Sequence, residues 1–198
     1  MEAFVRGLPP NTTWIIFGAV GVGFILSWFL RWYRQYVSRK TLRNSVTGAA
    51  TDHLVDILVP DGMGGGYHVD FLLLTARGIL VVDLRDVQGK IFAGDQMAEW
   101  TVFDGPRRVT FANPLSALYD RIAAVKAVAG DVPVEGRIVF TRRGMFPKGL
   151  PKFTLMVDTL KAEFPSVGHD GLTGTLADAW MRLKNSVKPS YMTHMRAS

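Results

Sequence analysis

The sequence predicts an α/β domain carried behind one membrane-spanning helix, and three stretches predict it. Residues 14–30, WIIFGAVGVGFILSWFL, contain no charged side chain. Tyr67 to Lys90 holds two β-type runs joined at Thr75-Ala76-Arg77-Gly78. Asn113-Pro114-Leu115 opens a helical stripe, and a further apolar β run follows at Gly136 to Phe140. Strands interleaved with helices are the order that builds a mixed central sheet flanked by helices.

Taken in order, residues 1–13 form a short extracytoplasmic N-terminus. The 17 residues from Trp14 to Leu30 suit a short bilayer span, with Trp14, Trp28, Trp32 and Tyr33 at the interfaces. The basic segment 31–44 follows, with Arg31, Arg34, Arg39, Lys40 and Arg43. Because these cations follow the apolar run, they place the N-terminus outside and the domain in the cytoplasm, as a single-pass protein of an inner or plasma membrane. Ala19, Gly23 and Ser27 repeat every fourth residue, a stripe that suits self-association or docking to a membrane-protein partner, although glycine is also common in such helices. Membrane lipid is the other partner the arginines suit.

The chain of 198 residues carries a net charge of +6 and a pI near 9.8. Six basic residues and one acidic residue precede Asn44, which leaves 17 basic and 16 acidic after it. The positive excess therefore belongs to the membrane-proximal segment, and global charge is no argument that the domain binds nucleic acid. There are no cysteines, and the four histidines lack ligand spacing, which excludes disulfides and argues against a zinc site.

The domain itself is expected over residues 45–188. Val46, Ala49, Ala50, Leu54, Ile57 and Leu58 have helical spacing, so Ser45 to Val59 reads as a helix with Asp52 at the edge of its apolar stripe. Pro60 to Gly66 is a loop. In the hairpin, Leu74 faces Ile79, and the register then sets Asp70 opposite Asp83 and His68 opposite Arg85. Two carboxylates across a ladder repel. A divalent ion, Arg85 or His68 as counter-charge, or a shared proton would each relieve them.

Gly89 to Ala93, Glu99 to Phe103 and Arg107 to Phe111 read as further strands. Asn113 caps a helix with Pro114 in its first turn, continuing to about Ala129. After the Gly136 to Phe140 strand, Arg142, Arg143 and Lys148 fall in a basic run that suits either phosphate contact or a solvated loop. Val157 to Phe164 and Leu172 to Val187 read as helices, the second anchored by Leu176, Trp180 and Leu183. Residues 189–198 read as a loose tail.

Asp70 followed by a hairpin and Asp83-Leu84-Arg85 resembles the D…(D/E)-x-K signature of PD-(D/E)XK nucleases, in the form carried by the nuclease-related domain (NERD). Gly48 and Asp52 with Val55 and Leu58 are similar to the opening G-x-x-G-E-x-x-V-x-x-x-L of that family. HVDFLLLTARGILVVD resembles its IDHhhhs-x-x-GhhhhE core, Gln88-Gly89-Lys90-Ile91 with Trp100 its x-G-x-I…W segment, and Asn113-Pro114-Leu115 its N-P-L helix start. The resemblance covers about Val46 to Phe140 and implies a restriction-endonuclease-like fold. It also implies a catalytic set of Asp52, Asp70, Asp83 and Arg85, with Mg²⁺ held by Asp70 and Asp83 and Asp52 supporting metal or water.

The departures fall on that chemistry. Asp52 and Asp83 stand where the family has Glu, and Arg85 stands where it has Lys. A guanidinium, which keeps its proton, is a poor proton-transfer partner and a good carboxylate clamp. Lys90 lies past the pleat. The arginine favours a catalytically impaired module that contacts nucleic acid or serves as a bitopic subunit of a membrane assembly. The alternative is an active Mg²⁺-dependent DNA or RNA phosphodiesterase.

Overall fold

The computed structural model describes residues 42–165 and 174–190. The apolar run 14–30, its Ala19, Gly23 and Ser27 stripe, and the basic segment up to residue 41 lie outside the described residues. Among the described residues no helix is long and apolar enough to cross a membrane.

The fold is α/β with two sheets. The larger is mixed and six-stranded, and the smaller has four strands. Residues 42–47 are helical and lead to β1 (Asp52–Pro60), which pairs antiparallel with β2 (Gly66–Thr75) over its whole length. This corrects the helix expected from Ser45 to Val59. The run Leu54 to Val59 satisfies helical and strand spacing equally, and β-branched Val55, Ile57 and Val59 gain more by pairing with a buried strand. Ile57 and Val59 are buried, and Asp56 just before them takes φ 51°.

β3 (Gly78–Arg85) returns against β2 in the expected register, Leu74 opposite Ile79, with Ala76 and Arg77 as the loop. Gly78 has φ 131°, and a side chain there would strike Pro133. β3 then pairs in parallel with β7 (Val134–Phe140), and β7 in parallel with β9 (Thr154–Met156). The tail expected from residue 189 begins as a strand instead: β10 (Lys188–Pro189) pairs with β1 at the sheet edge, and Ser190 N–H donates to the Asp56 carbonyl at 2.8 Å. Residues 191–198 lie outside the described residues.

β4 (Gly89–Phe92), β5 (Glu99–Asp104) and β6 (Arg107–Ala112) form a separate antiparallel sheet joined by β8 (Gly144–Met145), rather than extending the central one. Trp100 is fully buried and stacks on Phe140, so the small sheet closes over the C-terminal end of β7.

α1 (Leu115–Ala129) lies across β7, β3 and β2. Asn113 Oδ1 accepts from Leu115 N–H at 3.0 Å, the expected cap. Leu118 and Val125 are buried, each contributing roughly 1.5–3 kcal/mol. Gly136 on β7 lets α1 approach, because a Cβ there would collide with Ile122 and Leu118. α2 (Val157–Glu163) follows β9, and α3 (Gly174–Ser186) buries Leu176, Trp180 and Leu183 as expected.

Candidate acidic centre

The ladder between β2 and β3 runs from Thr75↔Gly78 to Phe71↔Val82 and stops. Asp70 and Asp83 occupy the next step, on the face covered by α1. There the Asp70 carboxylate takes the place of a ladder acceptor, receiving Leu84 N–H at its Oδ2 at 3.0 Å. On the other side of β2, the constant register with β1 brings Asp56 opposite Asp70. Three neighbouring strands therefore carry one row of acids, Asp56, Asp70 and Asp83, increasingly buried towards the sheet centre: their side chains are 46%, 21% and 3% exposed.

The innermost acid is held by two arginines. Arg85 Nη2 donates to Asp83 Oδ2 at 2.8 Å, while Arg85 Nε lies 2.8 Å from Oδ1 at an angle too poor for a hydrogen bond and contributes charge alone. Arg121, from α1, donates through Nη1 to Asp83 Oδ2 at 3.1 Å and through Nε to the His68 carbonyl at 2.6 Å. Both Asp83 oxygens thus face guanidinium. Burial, and then the neighbouring charge of Asp83, push the Asp70 carboxyl above its ordinary range; Leu84 N–H, His68 and Arg121 offset this in part.

His68 stands in the outer half of the row. Its Nε2 lies 3.6 Å from Asp56 Oδ1 and its Nδ1 3.7 Å from Asp70 Oδ1. It meets these two acids rather than Arg85. One donor atom from each of Asp56, His68 and Asp70 falls within 4.8 Å of the others, a set that can hold a divalent ion. The pair Asp70 and Asp83 is less suited to an ion, because two guanidinium charges already face Asp83, both donating to its Oδ2.

The other expected site residues are placed elsewhere. Asp52 sits at the far end of β1, four residues from Asp56 and thus about 13 Å along the strand. It accepts from Trp180 Nε1 at 2.9 Å and from Lys184 Nζ, so it fastens α3 to β1. Burial opposes its ionisation, but Lys184, Trp180 and the His53 N–H outweigh burial and lower its pKa. Lys90 belongs to the small sheet, opposite Phe103. Of the basic run, Arg142 pairs with Asp158 at 2.6 Å and Arg143 with Asp86 at 2.9 Å, while Lys148 lies over the Phe92 ring.

Sequence reasoning missed Asp56 and Arg121. Reading Leu54 to Val59 as a strand facing Tyr67 to Phe71 puts Asp56 beside Asp70, so the signal for Asp56 was present. Arg121 is a charge lodged between Leu118 and Ile122 in an otherwise apolar stripe, which marks it as aimed at something buried.

A family model described as nuclease-related domain matches residues 39–141. That range includes the whole acid row, Arg85 and Arg121. No curated protein and no solved structure gives a significant match.

Proposed function

This chain belongs to the nuclease-related domain family, and from that membership we propose a module that engages nucleic acid while its arginine-clamped acid pair suppresses hydrolysis. Residues 14–30 would tether it to a membrane, with the domain on the cytoplasmic side and the small-residue stripe free to meet a second helix.

One observation carries the impaired reading: both oxygens of Asp83 face guanidinium groups. Two guanidinium charges beside Asp83 disfavour a metal cation there, and a guanidinium is a poor proton-transfer partner. Arg121 adds a second cation from α1, and its Nε also donates to the His68 carbonyl at 2.6 Å.

The test is nicking of supercoiled plasmid and of single-stranded substrate with Mg²⁺ or Mn²⁺, comparing wild type, Arg85→Lys and Asp83→Ala. Wild type is expected to cut no faster than Asp83→Ala. Cutting by wild type that Asp83→Ala abolishes would overturn the proposal.

A second reading, an active phosphodiesterase, draws support from the Asp56, His68 and Asp70 donors. A divalent ion there would supply Lewis acidity to a phosphoryl oxygen and lower the pKa of water. The chain itself would provide Asp56, His68 and Asp70 to hold the ion and Asp83 with its arginines to fix β3 beside it. This reading requires that Mn²⁺ raise the thermal midpoint and that Asp56→Asn remove both the rise and any cleavage.

A further inference from the structure

Side chains along β4, β5 and β6 alternate, and Ile91, Trp100 and Val102 are buried inward. Their neighbours turn the other way. The pairs Lys90↔Phe103, Phe103↔Arg108, Phe92↔Thr101 and Thr101↔Thr110 set these six residues on one outward face. Phe103 is 40% exposed and meets Phe92 edge to face, ring centroids 5.5 Å apart. Arg108 lies 5.9 Å over the Phe103 ring, and the Lys148 ammonium 5.9 Å over that of Phe92.

Among the described residues, Lys90, Arg108 and Lys148 take part in no ion pair, which they share with cations such as Lys126 and Lys161; this face adds to them two aromatic rings, each with a cation over it. Glu99, the acid of the same strand parity, stands at the far end of β5. An exposed aromatic ring ringed by unpaired cations is complementary to a ligand that is both polyanionic and planar. Bases in a duplex keep their faces stacked on each other, whereas a single strand presents them.

We propose that the outer face of the small sheet is a platform for single-stranded nucleic acid. A base stacks on Phe103, beside Phe92, while Lys90, Arg108 and Lys148 meet the backbone phosphates. This rests on the nucleic-acid reading above and gives it a location apart from the acid row. An anionic bilayer fits less well: Phe92 is half-buried, and Thr101 and Thr110 stand in the same rows.

The experiment is fluorescence anisotropy of the full chain in detergent micelles with labelled oligothymidylate and with duplex of equal length. A separate arm measures binding to vesicles containing phosphatidylserine. Phe103→Ala is expected to weaken single-strand binding by about tenfold while Phe103→Trp retains it. Lys90→Gln and Arg108→Gln should each flatten the log–log salt dependence by about 0.7. The thermal midpoint of Phe103→Ala should match wild type, which separates lost stacking from lost folding. If the oligonucleotide binds equally to wild type and Phe103→Ala, the platform is wrong and the nucleic-acid reading survives elsewhere on the domain. If no nucleic acid binds the wild-type chain, both fall. Loss of vesicle binding in Phe103→Ala with oligonucleotide binding unmoved would make the face a membrane contact.

Discussion

The acid row on the large sheet and the outer face of the small sheet both bring arginine or lysine to a flat surface, but their charges are in opposite conditions. Around the row, Arg85 and Arg121 meet Asp83 at 2.8 and 3.1 Å, deep enough that Asp83 is 3% exposed. On the small sheet, Lys90, Arg108 and Lys148 touch rings or solvent. A cation already matched to a buried carboxylate serves the fold, and its partner weakens the field that a ligand would feel. An unmatched surface cation is screened only by water and salt, and a polyanion displaces that salt favourably. The same residue types therefore support architecture in one region and recognition in the other.

The largest effect that sharpens this contrast is expected at Arg121. Arg121→Met leaves Asp83 with one cation and Asp70 beside it, so the variant should lose about 3 kcal/mol in urea unfolding at neutral pH, followed by Trp100 and Trp180 fluorescence. Adding Asp83→Asn should recover part of the loss, because the uncompensated charge is then gone. A loss of less than about 1 kcal/mol in Arg121→Met would mean that the clamp is not acting as a buried pair.

A smaller effect of opposite sign is expected at Asp70. Its folded pKa is raised, by burial first and the Asp83 charge second. The folded state then binds the proton more tightly than the unfolded chain. Its contribution to stability is complete below the ordinary carboxylate range and is lost as pH rises through the folded value. At pH 7 the ionised group works against the fold. Asn keeps an acceptor for Leu84 N–H and offers a donor to Asp83, so Asp70→Asn should raise stability at neutral pH by up to about 1 kcal/mol. The gain should vanish below about pH 4, where wild-type Asp70 is protonated. An equal gain at both pH values would point to packing instead of charge.

The hairpin between β2 and β3 was legible because a glycine-bearing turn between two apolar runs fixes register locally, and register alone carries Asp70 to Asp83. The residues that respond to that pair were not legible in the same way. Asp52 and Asp56 lie four apart in a run that fits helix or strand, and the choice rests on pairing with β2, a contact made across a loop rather than along the chain. Arg121 comes 38 residues after Asp83 and reaches it only because Gly136 lets α1 settle on the sheet. The small sheet was visible as three strands, but its separation depends on Trp100 packing against Phe140.

The basic run after β7 gives the most sensitive comparison, because the sequence leaves Arg142 and Arg143 open to phosphate contact or a solvated loop while the fold supplies each with an acid. Arg142 is 79% exposed yet pairs with Asp158, and its hydrogen bond foremost holds that carboxyl below the ordinary range. A surface pair of this kind adds little to stability. Its positive charge is also cancelled a few ångströms away. Arg142→Gln should therefore leave the thermal midpoint and the salt dependence of oligonucleotide binding unchanged, where Arg108→Gln flattens the latter by about 0.7. Equal flattening by the two variants would show that a neighbouring carboxylate does not decide which cations are open to a polyanion, and the distinction between the two regions would lose its physical basis.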